Sequence, residues 1–426
     1  MAIRLPEGLP ARAVLDCEGI AVEEPGAAGT PHRAPLRIAL VNLMPRKIAT
    51  ETQLARLLGG TEHDVELTLV LPDGYAPRHA PAQHVARFYK RFGEIRGRRF
   101  DGLVVTGAPV ETLAFEEVRY WRELTRIFDW ARLSVRGSYY ICWAAQAALY
   151  HFHGVQKHAL PEKLFGVYPQ RIRAPEAPLL RGLGDSFPVP VSRHTEVRAA
   201  ELPRGAGLEV LAESPESGLC LIEDRPRHCL YMFNHLEYDA GTLAAEYRRD
   251  LEAGETIAPP RHTFPHDDPA AVPANTWRPG ARTVFGNWLD GLRRLSNMEQ
   301  DAGQAISWLL SEPRKPAVVG AASCDLLVAC ARGPDGLVTV LRALQDRSAS
   351  ASAVKLHRRA AGAWIEVRAG GLGGASAARA ARELAALPGI RSVVYRESAS
   401  RGGLFLSARP ERTGATGTGD APALTA

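Results

Sequence analysis

The sequence has no run of about 18 apolar residues, the length that a helix needs to cross a bilayer. Residues 1–29 also lack an apolar stretch long enough for an export signal. Neither a membrane association nor secretion is expected. Net charge is small: 52 Lys and Arg against 47 Asp and Glu leave +5, spread as mixed Arg, Asp and Glu rather than as a basic block. No nucleic-acid partner is implied, although a mild positive bias suits an anionic small molecule. Cysteine is scarce, with six in 426 residues (Cys17, Cys142, Cys220, Cys229, Cys324 and Cys330), and none falls at metal-ligand spacing. No metal is expected, and a cysteine that must stay reduced to work points to the cytoplasm. What the chain does have is length and 46% hydrophobic residues, enough for two or three ordinary cores.

One short stretch organises the rest. The β-prone run Ser138 to Ile141 stops at Cys142, and Trp143, Ala144, Ala145, Gln146, Ala147, Ala148 and Leu149 favour a helix at once. A cysteine at such a strand-to-helix turn is a nucleophile elbow: the helix amino terminus favours thiolate, and its free N–H groups can hold an oxyanion. The alternative is a small buried core residue. A second run, Cys229 to Met232, leads into Phe233, Asn234, His235, Leu236 and Glu237. At a strand end, residues i and i+2 share a side, so Glu237 can orient His235 and His235 can deprotonate Cys142. The competing reading is a solvent-facing His and Glu.

With these residues in view, the chain resembles the homoserine O-acyltransferases of methionine biosynthesis, relatives of the class I glutamine amidotransferases. The matching runs are Leu43-Met44-Pro45-Arg46-Lys47, Thr106-Gly107-Ala108-Pro109-Val110-Glu111, Cys142 to Leu149, Glu162-Lys163-Leu164-Phe165-Gly166-Val167, His235-Leu236-Glu237-Tyr238-Asp239 and Phe264-Pro265-His266-Asp267-Asp268-Pro269. They cover roughly residues 1 to 295. The resemblance implies Cys142, His235 and Glu237 as catalytic, Lys163, Ser192 and Arg249 as substrate-binding, and Glu111 as the residue that sets the acyl donor. A glutamate there goes with acetyl and a glycine with succinyl, in keeping with repulsion of a succinyl carboxylate. Two departures stand out: Leu236 replaces a frequent proline and Asn234 a glycine.

Strand and helix alternate through the first part: strands at Leu36–Val41, Val65–Leu71 and Phe100–Thr106, and helices at Ile48–Leu58 and Phe115–Leu133. This predicts an α/β fold with a mostly parallel sheet flanked by helices, and a site beyond the strands' carboxyl ends. Residues 1–34 read as an amino-terminal arm, 35–296 as the catalytic domain, 297–316 as a linker, 317–409 as a small α+β domain and 410–426 as a disordered tail. The helix Gly241–Ala253 reads as amphipathic, with a solvated face as the alternative to a site role. In 317–409 the order βαββαβ is ferredoxin-like and similar to an ACT module, with Gly333-Pro334-Asp335-Gly336 as its ligand loop.

The expected reaction is acyl transfer from an acyl-CoA, acetyl-CoA favoured, to the hydroxyl of L-homoserine through a Cys142 thioester. The oxyanion would be held by Trp143 N–H and one N–H of the Leu43 loop. Acetyl-CoA or succinyl-CoA enters as cosubstrate, no cofactor is bound, and a homodimer is expected. Transfer of succinyl, or to serine, remains open, as do a glutaminase and a non-catalytic ligand-binding scaffold.

Overall fold

The computed structural model describes residues 1–26, 34–77, 79–311, 323–330, 340, 343–344, 350–359, 362–370, 372, 375–387, 390–397 and 406–408. The chain divides into two compact units, Met1–Ser296 and Asn297–Ala426.

The first unit opens with β1 (Ile3–Arg4), α1 (Ala11–Cys17) and β2 (Val22–Glu23). It continues through β3 (Leu36–Val41), α2 (Lys47–Gly59), β4 (Val65–Leu71), α3 (Ala82–Phe88), β5 (Tyr89–Arg91), α4 (Phe92–Ile95) and β6 (Phe100–Val105). Next come α5 (Trp121–Ser134), β7 (Val135–Ile141), α6 (Trp143–His153), β8 (His158–Ile172), β9 (Ser186–Glu196), β10 (Leu208–Ser214), β11 (Gly218–Asp224), β12 (Cys229–Met232) and α7 (Thr242–Glu252), and α8 (Arg278–Ser311) begins in this unit and runs past its end at Ser296. Among the described residues these strands form one twelve-stranded sheet, ordered β2-β1-β4-β3-β6-β7-β12-β11-β10-β8-β9 with β5 on β4. From β2 to β12 neighbours run parallel. Beyond β12 the pairs are antiparallel.

The pleat explains the two layers around the sheet. Ile38 and Leu40 of β3 face one core with Leu54, Leu57 and Leu58 of α2 and Phe285, Trp288 and Leu289 of α8. Their neighbours Ala39 and Val41 face the other, with Leu124, Ile127 and Phe128 of α5 and Ala144, Ala145, Ala147, Ala148 and Leu149 of α6. Successive residues of a strand point to opposite faces, so a strand covered by helices on both sides must be apolar throughout.

Residues 1–26 correct the reading of an arm. Ile3 pairs with Val65 and Arg4 with Glu66 in parallel register, and Ile3, Leu5 and Leu15 are fully buried. Arg56 Nε of α2 holds Glu18 Oε2 at 2.5 Å. Pro6, Gly8 and Pro10 conceal the two-residue strand in the sequence, and only its pairing with a strand some sixty residues away reveals it. Residues 297–311, read as linker, are helical and continue α8.

In the second unit, β13 (Ser323–Cys330), β14 (Ser350–Arg359), β15 (Gly362–Gly370), α9 (Ala375–Ala385), β16 (Ile390–Glu397) and β17 (Leu406–Ala408) are described. The sheet order is β14-β15-β13-β16-β17, with antiparallel pairs throughout. Leu326, Val328, Ile365, Val367, Leu384 and Val393 form its core. The Gly333 to Gly336 loop, residues 312–316 of the linker and the 410–426 tail lie outside the described residues, as does most of the Gly336–Leu344 helix.

Candidate active site

Register brings four loops to one sheet edge. Val41 pairs with Val105, Val105 with Tyr140, and Ile141 with Met232. The residues that follow these strands, Asn42, Thr106, Cys142 and Phe233, therefore lie side by side at the carboxyl ends. Hydrogen bonds stitch them together: Thr106 N donates to Val41 O at 3.0 Å and Cys142 N to Met232 O at 2.7 Å.

Cys142 caps α6 at φ 53°, ψ −120°. A positive φ in a residue with a Cβ is strained, and such strain persists where surrounding structure over-determines it. The turn leaves Cys142 partly exposed. Gly107 packs beneath it so closely that a Cβ built there would stand 3.2 Å from Cys142 Cβ and 3.7 Å from Sγ. The sulfur lies 4.0 Å from Ser192 O of β9.

His235 and Glu237 are brought to the same place. His235 Nδ1 meets Glu237 Oε1 at 2.7 Å, with both side chains buried. His235 N donates to Pro190 O at 2.9 Å, which ties this residue to β9. Burial alone would lower the imidazole's value, but the charges of Cys142 and Glu237, both bonded to the ring, hold it well above 6.5. The ring is thus bonded to both the Cys142 sulfur and the Glu237 carboxylate. Tyr238 stacks on the imidazole at 4.1 Å between centroids.

The three substrate-binding expectations fall into one network on α7. Lys163 Nζ donates to Asp250 Oδ2 at 2.8 Å and stands 3.6 Å from Glu246 Oε2. Ser192 Oγ donates to Glu246 Oε2 at 2.6 Å. Arg249 Nε and Nη2 both reach Asp250 Oδ1, at 2.7 and 2.5 Å. Two cations and a hydroxyl are therefore organised by two carboxylates, Glu246 and Asp250, which the sequence reading did not single out. Burial works to raise the Asp250 carboxyl, but its bonds to Lys163 and Arg249 bring it below the usual carboxylate range. The α7 periodicity was the available signal, yet a solvated face was a competing reading. Asp250 is instead buried.

Glu111 sits on the loop after β6, half-buried. Lys157 Nζ donates to the carbonyls of Glu111 and Leu113 and stands 4.8 Å from the Phe115 ring centre. Burial lowers the Lys157 ammonium, and the charges of Glu111 and Glu117 oppose that.

The Leu43 loop differs from expectation. Leu43 N donates to Thr106 Oγ1 at 2.7 Å, and Met44 N to Asn42 Oδ1 at 3.1 Å. Neither N–H is available to an oxyanion. Lys47, buried below this loop, donates to Asn42 O at 2.7 Å and Met44 O at 3.2 Å, and burial brings its ammonium to about 8 against the opposing charge of Glu51.

Among the described residues no group of three or more His, Cys, Asp or Glu could hold a metal ion, and no helix is long and apolar enough to cross a membrane.

The sequence model of the family described as homoserine O-succinyltransferase matches residues 2–293. A homoserine O-acetyltransferase of Rhizorhabdus wittichii is 53% identical over 294 residues, 69% of this chain and 92% of that protein. One of Novosphingobium aromaticivorans is 52% identical over 290 residues, covering 68% and 95%. Among solved structures, a glutamine amidotransferase from Thermotoga maritima aligns with 61% of this chain and 99% of its own at 12% identity and a TM-score of 0.41. By the match over residues 2–293, the chain belongs to the homoserine O-succinyltransferase family.

Proposed function

We propose that the protein transfers an acetyl group from acetyl-CoA to the hydroxyl of L-homoserine through a thioester on Cys142. The observation that carries the reading is the buried His235–Glu237 pair, 2.7 Å apart, beside a cysteine strained at φ 53°. Thiolate attacks the thioester carbonyl of the donor, and the S–C bond to CoA breaks as the imidazolium proton passes to the leaving sulfur. The homoserine hydroxyl then loses its proton to His235 Nε2 as its oxygen attacks the acyl-enzyme, the new ester forms and Cys142 is released. Glu237 keeps the imidazole turned and balances its charge.

Trp143 N–H, at the first turn of α6, and Gly107 N–H, on the loop against Cys142, are the donors proposed for the oxyanion, in place of the Leu43 loop. Glu246 suits the ammonium group of an amino-acid acceptor and Arg249 its carboxylate, with Lys163 and Asp250 holding the two in place. The acetyl donor is supported by Glu111 and by the relatives, which are named as acetyltransferases; the family as a whole is named for succinyl transfer.

The second unit is proposed as a ferredoxin-like, ACT-type module, a reading supported by the antiparallel order β14-β15-β13-β16. A cytoplasmic homodimer completes the proposal and is checked by sedimentation of the full chain.

The test is thiol release from acetyl-CoA and succinyl-CoA, each with L-homoserine, L-serine or L-glutamine. Acetyl-CoA with homoserine is expected to be fastest. Preference for succinyl-CoA would discard the role of Glu111, and ammonia release from glutamine without thiol release would favour a glutaminase.

A further inference from the structure

Tyr238 lies between the two halves of the site. Its ring stacks on the His235 imidazole, centroids 4.1 Å apart and planes 19° from parallel. Its hydroxyl donates to Glu246 Oε1 at 2.8 Å. The other oxygen of that carboxylate takes the Ser192 hydroxyl at 2.6 Å and stands 3.6 Å from Lys163 Nζ. The residue is 5% exposed, so these protein contacts rather than solvent fix its ring and hydroxyl. Burial first, then the charges of Glu246 and Glu237, push the phenol well above its ordinary value, and it stays a donor at working pH.

We propose that Tyr238 couples the acceptor site to the catalytic base: its ring stabilises the His235 imidazolium, and its hydroxyl fixes the Glu246 carboxylate that receives the acceptor's ammonium group. The proposal rests on the acyl-transfer reading above. The face of an aromatic ring carries negative charge and favours a cation lying over it, most strongly where water is excluded. His235 carries a proton before the first half-reaction and gains one in the second, so the ring acts in both. The hydroxyl acts only where the acceptor binds. A Glu246 carboxylate without that bond would lose one of two donors that fix its rotamer, beside a lysine able to draw it aside.

Two substitutions separate the roles. Tyr238→Phe keeps the ring and removes the hydroxyl, whereas Tyr238→Leu removes both. In Tyr238→Phe, single-turnover acylation of Cys142 by acetyl-CoA is expected within about twofold of wild type, while KM for homoserine rises about tenfold, the usual scale for a hydrogen bond to a charged group. In Tyr238→Leu, acylation also falls about tenfold, and the pH at which labelled His235 loses its proton moves down by about one unit. A purely structural residue would instead lose acylation and acceptor binding in parallel in both variants, with no change in the histidine titration, and that result overturns the proposal. Should the leucine variant fail to fold, a folded Tyr238→Phe with an unchanged homoserine KM overturns it alone. A wild-type protein that forms no thioester overturns the acyl-transfer reading and this proposal together; a normal thioester beside an unaffected KM in Tyr238→Phe overturns only the latter.

Discussion

Replacing Glu237 by Gln removes one negative charge from the buried pair and leaves an oxygen that can still accept from His235 Nδ1. The two groups meet at 2.7 Å with side chains 3% and 5% exposed, so water screens them poorly. At a charge separation of about 4 Å and an effective dielectric constant of about 20, the lost attraction is on the order of 4 kcal/mol. The retained amide contact offsets part of this, and about 3 to 4 kcal/mol corresponds to a loss of roughly 10²- to 10³-fold in rate. Both half-reactions should suffer, because the imidazolium occurs in both. The pH dependence should also move. Burial lowers the His235 imidazole, but the interactions with Cys142 and Glu237 outweigh it and hold the ring well above 6.5. The stabilisation this pair gives the fold is therefore complete below about pH 6.5 and is lost as pH rises through the elevated native value. In Glu237→Gln that loss should begin at lower pH, as should the loss of the protonated base. Glu237 Oε2 has no hydrogen-bond partner among the described residues, so the amide disturbs no second contact, and the stability change should stay within about 1 to 3 kcal/mol. Single-turnover acylation with acetyl-CoA, followed by deacylation with homoserine, measures both steps. Rates within threefold of wild type, with an unmoved pH profile, would refute the assignment of Glu237 as the orienting anion.

Gly107→Ala should lower kcat/KM by about ten- to a hundredfold with little change in the melting temperature, because the added methyl stands 3.2 Å from Cys142 Cβ and displaces the nucleophile by tenths of an ångström; unchanged turnover would remove this loop from the site. Ile3→Ala should cost about 2 to 4 kcal/mol in urea melts, since Ile3 is fully buried between α2 and β4, whereas a detached arm would lose almost nothing. Asp224 is buried with His153 Nε2 at 2.8 Å and Arg227 Nη1 at 3.1 Å. Burial would raise its carboxyl, but the His153 bond and the Arg227 charge bring it below 3.8. The stability it gives is thus present above about pH 4 and lost as pH falls through its native value. Asp224→Asn should cost about 3 kcal/mol near neutral pH and flatten the acid limb of the stability profile without altering kcat/KM.

The sheet was legible where burial on both faces forces unbroken apolar runs. The expected Leu36–Val41 and Val65–Leu71 coincide with β3 and β4, and the third run ends one residue beyond β6. The β8–β9 hairpin was less visible because prolines interrupt it. Pro169 lies opposite Pro188, and Pro190 opposite Val167. Pro188 and Pro190 are tolerated because β9 is the edge of the sheet among the described residues, where missing N–H donors cost least. The elbow and the His-x-Glu strand end could be read locally, since each depends on neighbours one or two positions away. Glu246, Asp250 and the stacking face of Tyr238 could not. Their partners Ser192, Lys163 and His235 come together only through the fold, and on α7 alone Asp250 has the pattern of a solvated residue. The Leu43 N–H could not be judged for a related reason: the Thr106 hydroxyl that occupies it lies sixty-three residues away.

The central claim is the covalent intermediate, and intact mass of the full chain mixed with acetyl-CoA alone, followed by peptide mapping, tests it most directly. A gain of one acetyl group located on Cys142 is expected, absent in Cys142→Ala and discharged when L-homoserine is added. No adduct, or one that homoserine leaves in place, would contradict it.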